Sequence, residues 1–286
     1  MAMSDTAGAV SRTWARISLL RESPVGMIGA ALVLFWILVA IFAPWISPYD
    51  PNSNDMDALI DPGPTGAHLF GADMQGRDIL ARVMWGSRTV LTVAPVAVAV
   101  AYAIGSLLGL LAGYYRGWVD NVINRVSDII LSFPAIVLYI IVIMRFGPSA
   151  LNIILAVIFI ASPQIMRIVR GMTLELRERE YIAAAKMRGE SALYIMFVEI
   201  LPNARGPLIV DACLRMGYTT IAIGVLGFLG LGLPPPDPDW GGMVKDSYAL
   251  MSIYPHRSLF PALAISSLVV GFSLLADGIR EISLRD

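Results

Sequence analysis

The side chains that could take part in chemistry are few and widely spaced along the chain. Asp211 and Arg215 stand four residues apart in an apolar stretch, so they share one face of a helix and can pair there. Such a pair is either a satisfied contact within the helix or a polar contact lining a translocation path, and the sequence leaves both interpretations open. The lone Cys213 excludes an internal disulfide. His68 and His256 belong to no ligand motif, so no metal site is predicted.

The sequence also lacks the residues that hydrolyse ATP. A phosphate-binding P-loop ends in Gly-Lys-Ser or Gly-Lys-Thr, but the two lysines, Lys186 and Lys245, are followed by Met187 and Asp246. Neither G-x-S-x-G nor H-E-x-x-H occurs. We therefore expect no enzyme and no cofactor in this chain, and any ATP that powers it must be hydrolysed by another subunit.

Composition identifies the class of protein that must position these residues. Hydrophobic residues make up 57% of the 286 positions and charged residues 15%, whereas a soluble domain carries about a quarter charged residues. The mean hydropathy is +0.69. These values predict an all-α polytopic membrane protein. The net charge of −1 gives no reason to expect nucleic acid as a partner.

Six apolar stretches are long enough to cross a bilayer as helices. They cover residues 25–46, 89–115, 118–144, 150–169, 207–233 and 258–276. The first is predicted to be an uncleaved anchor, and Pro134 is predicted to kink the third. Gly105, Gly109 and Gly113 in the second predict close packing against another helix.

Basic residues predict the orientation. With a cytoplasmic N-terminus, fourteen of the 21 Lys and Arg residues fall on the cytoplasmic side, which favours both termini inside. Residues 1–24 and 279–286 are then cytoplasmic, and residues 89–278 form a core of five spans. Two segments face outward. Residues 47–88 include a short amphipathic helix after Asp78, and residues 234–257 begin with a proline-rich stretch that cannot be helical.

The charged interval 171–203 is predicted to be a structured cytoplasmic loop. Helix formers cover residues 174–187, Gly189 can end that helix in the left-handed conformation, and a second short helix over 191–200 would stop at Pro202. Such a helix–turn–helix either docks a partner or lies on lipid headgroups. The residues alone favour neither.

A family resemblance distinguishes these interpretations. Ala183-Ala184-Ala185, followed by Gly189 and later by Leu201-Pro202, resembles the EAA loop of ABC-importer permeases. Further matches follow in order along the chain, among them Phe42-Ala43-Pro44, Phe70-Gly71-Ala72-Asp73, Gly76-Arg77-Asp78, Phe146-Gly147-Pro148-Ser149, Leu226-Gly227-Phe228-Leu229-Gly230 and Asp277-Gly278-Ile279-Arg280. The chain resembles the C-type permease of the dipeptide/oligopeptide/nickel importer family over nearly its whole length.

That resemblance implies a type I ABC importer permease fold in the bacterial inner membrane. It implies a homologous B-type permease, two cytoplasmic P-loop ATPases that bind ATP and Mg²⁺, and a periplasmic or lipid-anchored solute-binding protein. The implied substrates are dipeptides or oligopeptides, with nickel chelates, opines or oligosaccharides as alternatives. A stand-alone secondary carrier and a non-transporting membrane scaffold are the alternatives from other classes.

The resemblance also assigns roles to residues. Coupling to the ATPase is expected of Glu180, Tyr181, Ala184, Ala185, Arg188, Gly189, Glu190 and Pro202. Contacts to the binding protein are expected of Asp73, Arg77, Asp78, Asp239 and Trp240. Ala183 stands where the family usually has Glu, so that ATPase contact is either absent or supplied by Glu180, one turn earlier. Asp211 and Arg215 are the candidate polar residues of the path.

Overall fold

The computed structural model describes residues 23–283, and their regular structure is helical. Residues 1–22 and 284–286 of the predicted cytoplasmic segments lie outside the described residues. The helices are α1 Pro24–Ile46, α2 Ile79–Tyr115, α3 Gly117–Leu131, α4 Ala135–Phe146, α5 Ala150–Leu176, α6 Glu180–Met187, α7 Ala192–Asn203, α8 Arg205–Phe228, α9 Trp240–Ser247 and α10 His256–Ser283. In this part of the chain, α1, α2, α5, α8 and α10 can each cross a membrane, and α3 with α4 makes a sixth, bent span.

The second span is longer than predicted. The expected short amphipathic helix after Asp78 is not separate, because α2 runs unbroken for 37 residues from Ile79. The Asp78 carboxylate caps its first turn by accepting a hydrogen bond from the Ala81 N–H at 2.7 Å. Ile79 and Val83 are buried in the same hydrophobic core as the membrane-spanning residues of α2. The predicted amphipathic helix and the second span are therefore one continuous helix.

The predicted kink at Pro134 is confirmed. Helices α3 and α4 meet at an angle of 83° across a break before Ala135. Proline has no N–H to donate and disfavours helical geometry at the preceding residue, here Phe133. The chain therefore turns sharply at this point.

The fifth span ends earlier than expected, at Phe228 instead of residue 233. Gly230 has a φ of +77°. Its N–H donates to the Gly227 carbonyl at 2.8 Å, while the Leu231 N–H donates to the Leu226 carbonyl at 2.8 Å. These are the two bonds of a Schellman motif, which ends a helix by satisfying its last carbonyls.

Close packing of α2 on α5 forms the centre of the bundle. A Cβ at Gly105 or Gly109 would lie 2.7 Å from the Cβ of Ile165 or Val169, respectively, so only glycine lets the two backbones approach this closely. The prediction from the glycine spacing is confirmed.

Two structured regions lie at opposite ends of the bundle. We call residues 47–78 and 229–255 the cap. The Arg82 Nη1 of α2 donates to Pro51 O at 2.9 Å and lies 3.4 Å from Pro236 O, which ties both segments to the same span. We call residues 177–204 the α6–α7 loop. The Arg177 Nη1 fixes its start by donating to Tyr114 O at 2.6 Å, at the C-terminus of α2.

Candidate functional site

The α6–α7 loop is built on an apolar underside. Ile182 and Ala185 of α6 and Ile195, Met196 and Ile200 of α7 are fully buried, and they form one core with Leu110 and Val169 of the spans. A movement of the loop therefore reaches α2 and α5 directly. This contact makes the loop a mechanical part of the bundle and not a tether.

The turn between the two helices has the predicted form. Gly189 has a φ of +79°. Its N–H donates to the Lys186 carbonyl at 3.0 Å, and the Glu190 N–H donates to the Ala185 carbonyl at 3.2 Å, again the Schellman pattern. The prediction that Gly189 ends the helix in the left-handed conformation is confirmed.

Two details of the loop differ from expectation. The predicted helix 174–187 is interrupted at residues 177–179, where the chain turns out of the fourth span. Pro202 does not stop the second helix; it lies in α7, near a π-helical turn over Ile195–Ile200. After the π-helical turn, Leu201–Asn203 forms a short α-helical segment of its own, and Pro202 lies in its first turn. Proline is tolerated there because the N–H it lacks would have no partner.

The predicted coupling residues differ in accessibility. Ala185 is completely buried, so it cannot touch another protein and instead packs beneath the loop. Glu180, Arg188, Gly189 and Pro202 are exposed, and Tyr181, Ala184 and Glu190 are half-buried. Burial raises the pKa of Tyr181, whose hydroxyl has no hydrogen-bond partner among the described residues.

Arg188 holds the two short helices together from the outside. Its Nη2 lies 3.4 Å from Glu199 Oε1 on α7, and its Nε lies 3.6 Å from Glu190 Oε1. These pairs are exposed and weak. They connect the two helices across the turn and leave the surrounding surface exposed.

That surface carries apolar side chains that nothing in the described chain covers. Met187 is 84% exposed, and Leu193, Val198, Phe197 and Tyr194 are exposed around it. Charged Arg179 and Glu180, at the start of α6, are exposed as well. Apolar residues surrounded by charges are typical of a protein-docking surface.

A second polar group lies inside the bundle. The Arg215 Nε donates to Asp211 Oδ2 at 2.7 Å, so the predicted pair within α8 is confirmed. The pair also connects other spans: the Tyr102 hydroxyl of α2 donates to Asp211, and the Arg215 Nη1 donates to Gln164 Oε1 of α5 at 2.8 Å. Three spans therefore meet at one hydrogen-bonded cluster.

The cluster borders a cavity of about 480 Å³ between α4, α5 and α8. Arg215, Gln164, Tyr139, Tyr218 and Thr219 contribute its polar wall. Ala135, Ile136, Ile160, Ala161, Ile221, Ala222 and Val225 contribute the apolar part. The sequence analysis did not predict that Tyr102 and Gln164 join this cluster, because each is an uncharged polar residue distant in sequence from Arg215. The one sequence signal for them is a polar side chain within an apolar span.

In the cap, the predicted contact residues are buried instead of exposed. Asp73, Arg77, Asp78, Asp239 and Trp240 are at most 9% exposed. The Arg77 Nε donates to Asp73 Oδ2 at 2.6 Å, and the Trp240 Nε1 donates to Val83 O at 2.9 Å. These side chains hold the cap together, and little of their surface is open in this structure; that they contact the binding protein stays a prediction.

Asp239 and Trp240 also start a helix in a segment expected to be non-helical. The Asp239 carboxylate caps α9 by accepting from the Gly241 N–H at 3.1 Å, and Trp240 is its first residue. Burial raises the pKa of Asp239 to about 6, although hydrogen bonds from backbone N–H groups oppose the shift. The proline-rich stretch up to residue 239 is non-helical, as predicted.

A histidine between two carboxylates connects the cap to α2. His68 Nδ1 lies 2.8 Å from Asp78 Oδ2, and its Nε2 lies 3.2 Å from Asp55 Oδ2. Burial of the ring lowers the pKa of His68, but the hydrogen bonds to Asp78 and Asp55 outweigh it, and the pKa is raised. The bond to His68 lowers the pKa of Asp55.

A bundle of membrane-spanning helices, with a packed helical loop at one end and a polar cavity between spans, defines the class of membrane permeases. The chain belongs to a family within that class: residues 105–286 match "Binding-protein-dependent transport system inner membrane component". Residues 12–62 match "N-terminal TM domain of oligopeptide transport permease C". It is therefore a permease component of an ABC importer.

Individual relatives agree over most of the chain. The glutathione transport system permease protein GsiD of Escherichia coli O157:H7 is 43% identical over 91% of this chain and 86% of its own length. The dipeptide transport system permease protein DppC of Alkalihalophilus pseudofirmus is 40% identical over 92% of this chain and 86% of its own length. GsiD of Pectobacterium atrosepticum is 40% identical over 90% of this chain and 85% of its own length.

Proposed function

We propose that this chain forms one half of a peptide-translocating pore in the bacterial inner membrane, beside a homologous B-type permease. Two cytoplasmic ATPases drive it, and a solute-binding protein delivers the substrate from outside. The peptide class rests on the dipeptide and glutathione systems to which the two kinds of relatives are assigned. ATP and Mg²⁺ bind to the ATPases, and this chain supplies no nucleotide site.

The observation that carries the proposal is the double character of the α6–α7 loop. Its outer side exposes Met187, Leu193 and Phe197, while its underside packs into the core of α2 and α5. A partner that binds the outer side and moves can therefore displace the spans. Lipid headgroups could cover the outer side too, but they could not exert a directed force on it.

This role implies an orientation in the membrane. The α6–α7 loop faces the cytoplasm, where ATP is available, and the excess of Arg and Lys on that side agrees with it. The cap then faces outward toward the binding protein. Exposed cap residues such as Leu69 and Met74, at 62% and 51%, are better placed for that contact than the buried charges.

Transport follows from alternating access. ATP binding closes the two ATPases, the paired α6–α7 loops move with them, and the spans tilt so that the cavity opens outward to accept the ligand. Hydrolysis restores the inward-facing state. Arg215 lines the path at the wall of the cavity, and Asp211 holds its guanidinium there.

The test is reconstitution in liposomes of this chain with its permease partner, ATPases and binding protein. We expect ATP-dependent uptake of labelled dipeptide or glutathione that stops when the binding protein is omitted. Uptake that follows an ion gradient without ATPases would contradict the proposal and identify a secondary carrier. If the complex assembles but takes up no peptide, the transported substrate belongs to another chemical class.

A further inference from the structure

The Arg215 guanidinium has a donor to spare in the cavity. Its Nε bonds Asp211 and its Nη1 bonds Gln164. An arginine carries five N–H donors, and these two bonds leave others for a further acceptor. The Tyr102 hydroxyl also lies within reach of the guanidinium. Because Arg215 lines the cavity, a remaining donor can meet a ligand there.

This donor is held in place and does not swing freely. Arg215 is only 8% exposed, and its two bonded nitrogens fix the plane of the guanidinium. The Tyr102 hydroxyl holds Asp211 in turn. A planar guanidinium orients a carboxylate by directed hydrogen bonds, which a flexible ammonium does not. The geometry is thus set before any ligand arrives.

The rest of the cavity wall suits one acidic group on a mostly apolar ligand. Among the described lining residues, Arg215 is the only charged one, and the hydroxyls of Tyr218 and Thr219 lie on the same helix within four positions of it. A volume of about 480 Å³ lies within the range of about 300–1,000 Å³ for small-molecule sites. Asp211 already compensates the Arg215 charge, so a bound carboxylate is held by hydrogen bonds more than by net charge and can leave again.

We propose that the Arg215 guanidinium is a subsite for the free carboxylate of the transported peptide, oriented by Asp211 and Gln164. The inference rests on the proposed function, since it names the part of the substrate that the path recognises. It predicts that peptides with a free carboxylate occupy the cavity more tightly than their amides.

The lone cysteine allows a direct test on the purified complex without the binding protein. Cys213→Ser removes it, and Tyr218→Cys then places one thiol at the cavity, where the side chain is 64% exposed. The rate of maleimide labelling is measured against increasing free dipeptide and against the same dipeptide as its C-terminal amide. Met144→Cys, 73% exposed and outside the lining, is the control thiol.

We expect free dipeptide to protect Cys at position 218 at about tenfold lower concentration than the amide, the effect of one charge-assisted hydrogen bond. The double variant Asp211→Asn/Arg215→Gln keeps hydrogen-bonding groups without charge and should bring the two concentrations within about twofold. Arg215→Lys should give an intermediate ratio and serves as the second variant should the double one not assemble. Arg145→Gln, an exposed arginine outside the cavity, should leave the ratio unchanged.

Equal protection by peptide and amide, no protection by either, or an unchanged ratio in both Arg215 variants would each overturn the carboxylate subsite. None of these results touches the proposed function, which depends on ATP-dependent uptake by the complete system. Loss of that uptake in the wild-type assembly would instead remove the proposed function.

Discussion

The cap and the α6–α7 loop are both rich in charge, yet they use it in opposite ways. In the cap, Asp73 and Arg77 are 9% and 8% exposed and are bonded to each other. In the loop, Glu180 and Arg188 are exposed, and the buried residues are apolar. Buried, paired charges fix a shape because an unpaired one is costly. Exposed charges around apolar side chains leave a surface open to a partner.

The largest effect that this contrast predicts belongs to the cap. Trp240→Ala removes an edge-to-face contact with Trp36, at 5.0 Å between ring centroids, and the hydrogen bond to Val83. We expect the free energy of unfolding of the purified chain to fall by about 3–5 kcal/mol, as for other buried Trp truncations. Denaturant titration in detergent measures it.

The matched control is Trp118→Ala, because Trp118 is 76% exposed. It should change stability by less than about 0.5 kcal/mol. Equal losses in the two variants would show that the cap is not the rigid region described here.

The next largest effect belongs to the turn of the α6–α7 loop. Gly189→Val puts a β-branched residue at a φ of +79°, a left-handed conformation that costs an L-residue about 1–2 kcal/mol or more. Because the strain lies in the turn, we expect co-purification of the ATPases and uptake to be lost while the spans stay folded. Gly171→Val, at an exposed position in α5 with open space around it, is the control and should transport. Unchanged uptake by a well-expressed Gly189→Val protein would contradict the coupling role.

A smaller and more selective effect is expected from the exposed surface itself. Phe197 is 43% exposed on α7, so Phe197→Ala should not alter stability but should weaken ATPase binding about tenfold if the side chain is an anchor of the interface. Titration of the ATPases into the immobilised permease pair measures the affinity. Phe146→Ala, exposed at the far end of α4, should bind as the wild type does.

The smallest expected effect is a pH dependence of stability that arises in the cap. The pKa of His68 is raised in the folded cap, so its bonds to Asp78 and Asp55 stabilise the protein fully below the unfolded pKa of His and progressively less as pH rises through the folded pKa. Asp55 acts in the opposite direction: its pKa is lowered, and its contribution disappears as pH falls through that value. Melting temperatures between pH 6 and 9 should decline in the wild type and decline less in His68→Gln.

The sequence predicts the spans better than it predicts the cap. Apolar length, Pro134 and the glycines of the second span act locally, and so does Gly189, which ends α6 by its own conformation. The burial of Trp240 depends on contacts between segments more than 150 residues apart, such as that of Trp240 with Val83. Local patterns cannot show such contacts, and polar residues in a proline-rich segment look like surface. Tyr102 and Gln164 were missed for the same reason.

Hydrogen–deuterium exchange of the permease pair, with and without the ATPases, tests the central claim most directly. The account predicts that ATPase binding slows exchange in residues 180–203 and leaves residues 47–78 unchanged, because the surface that binds the ATPases lies at the loop end. Protection of the cap, or a loop whose exchange does not change while the ATPases are bound, would contradict it.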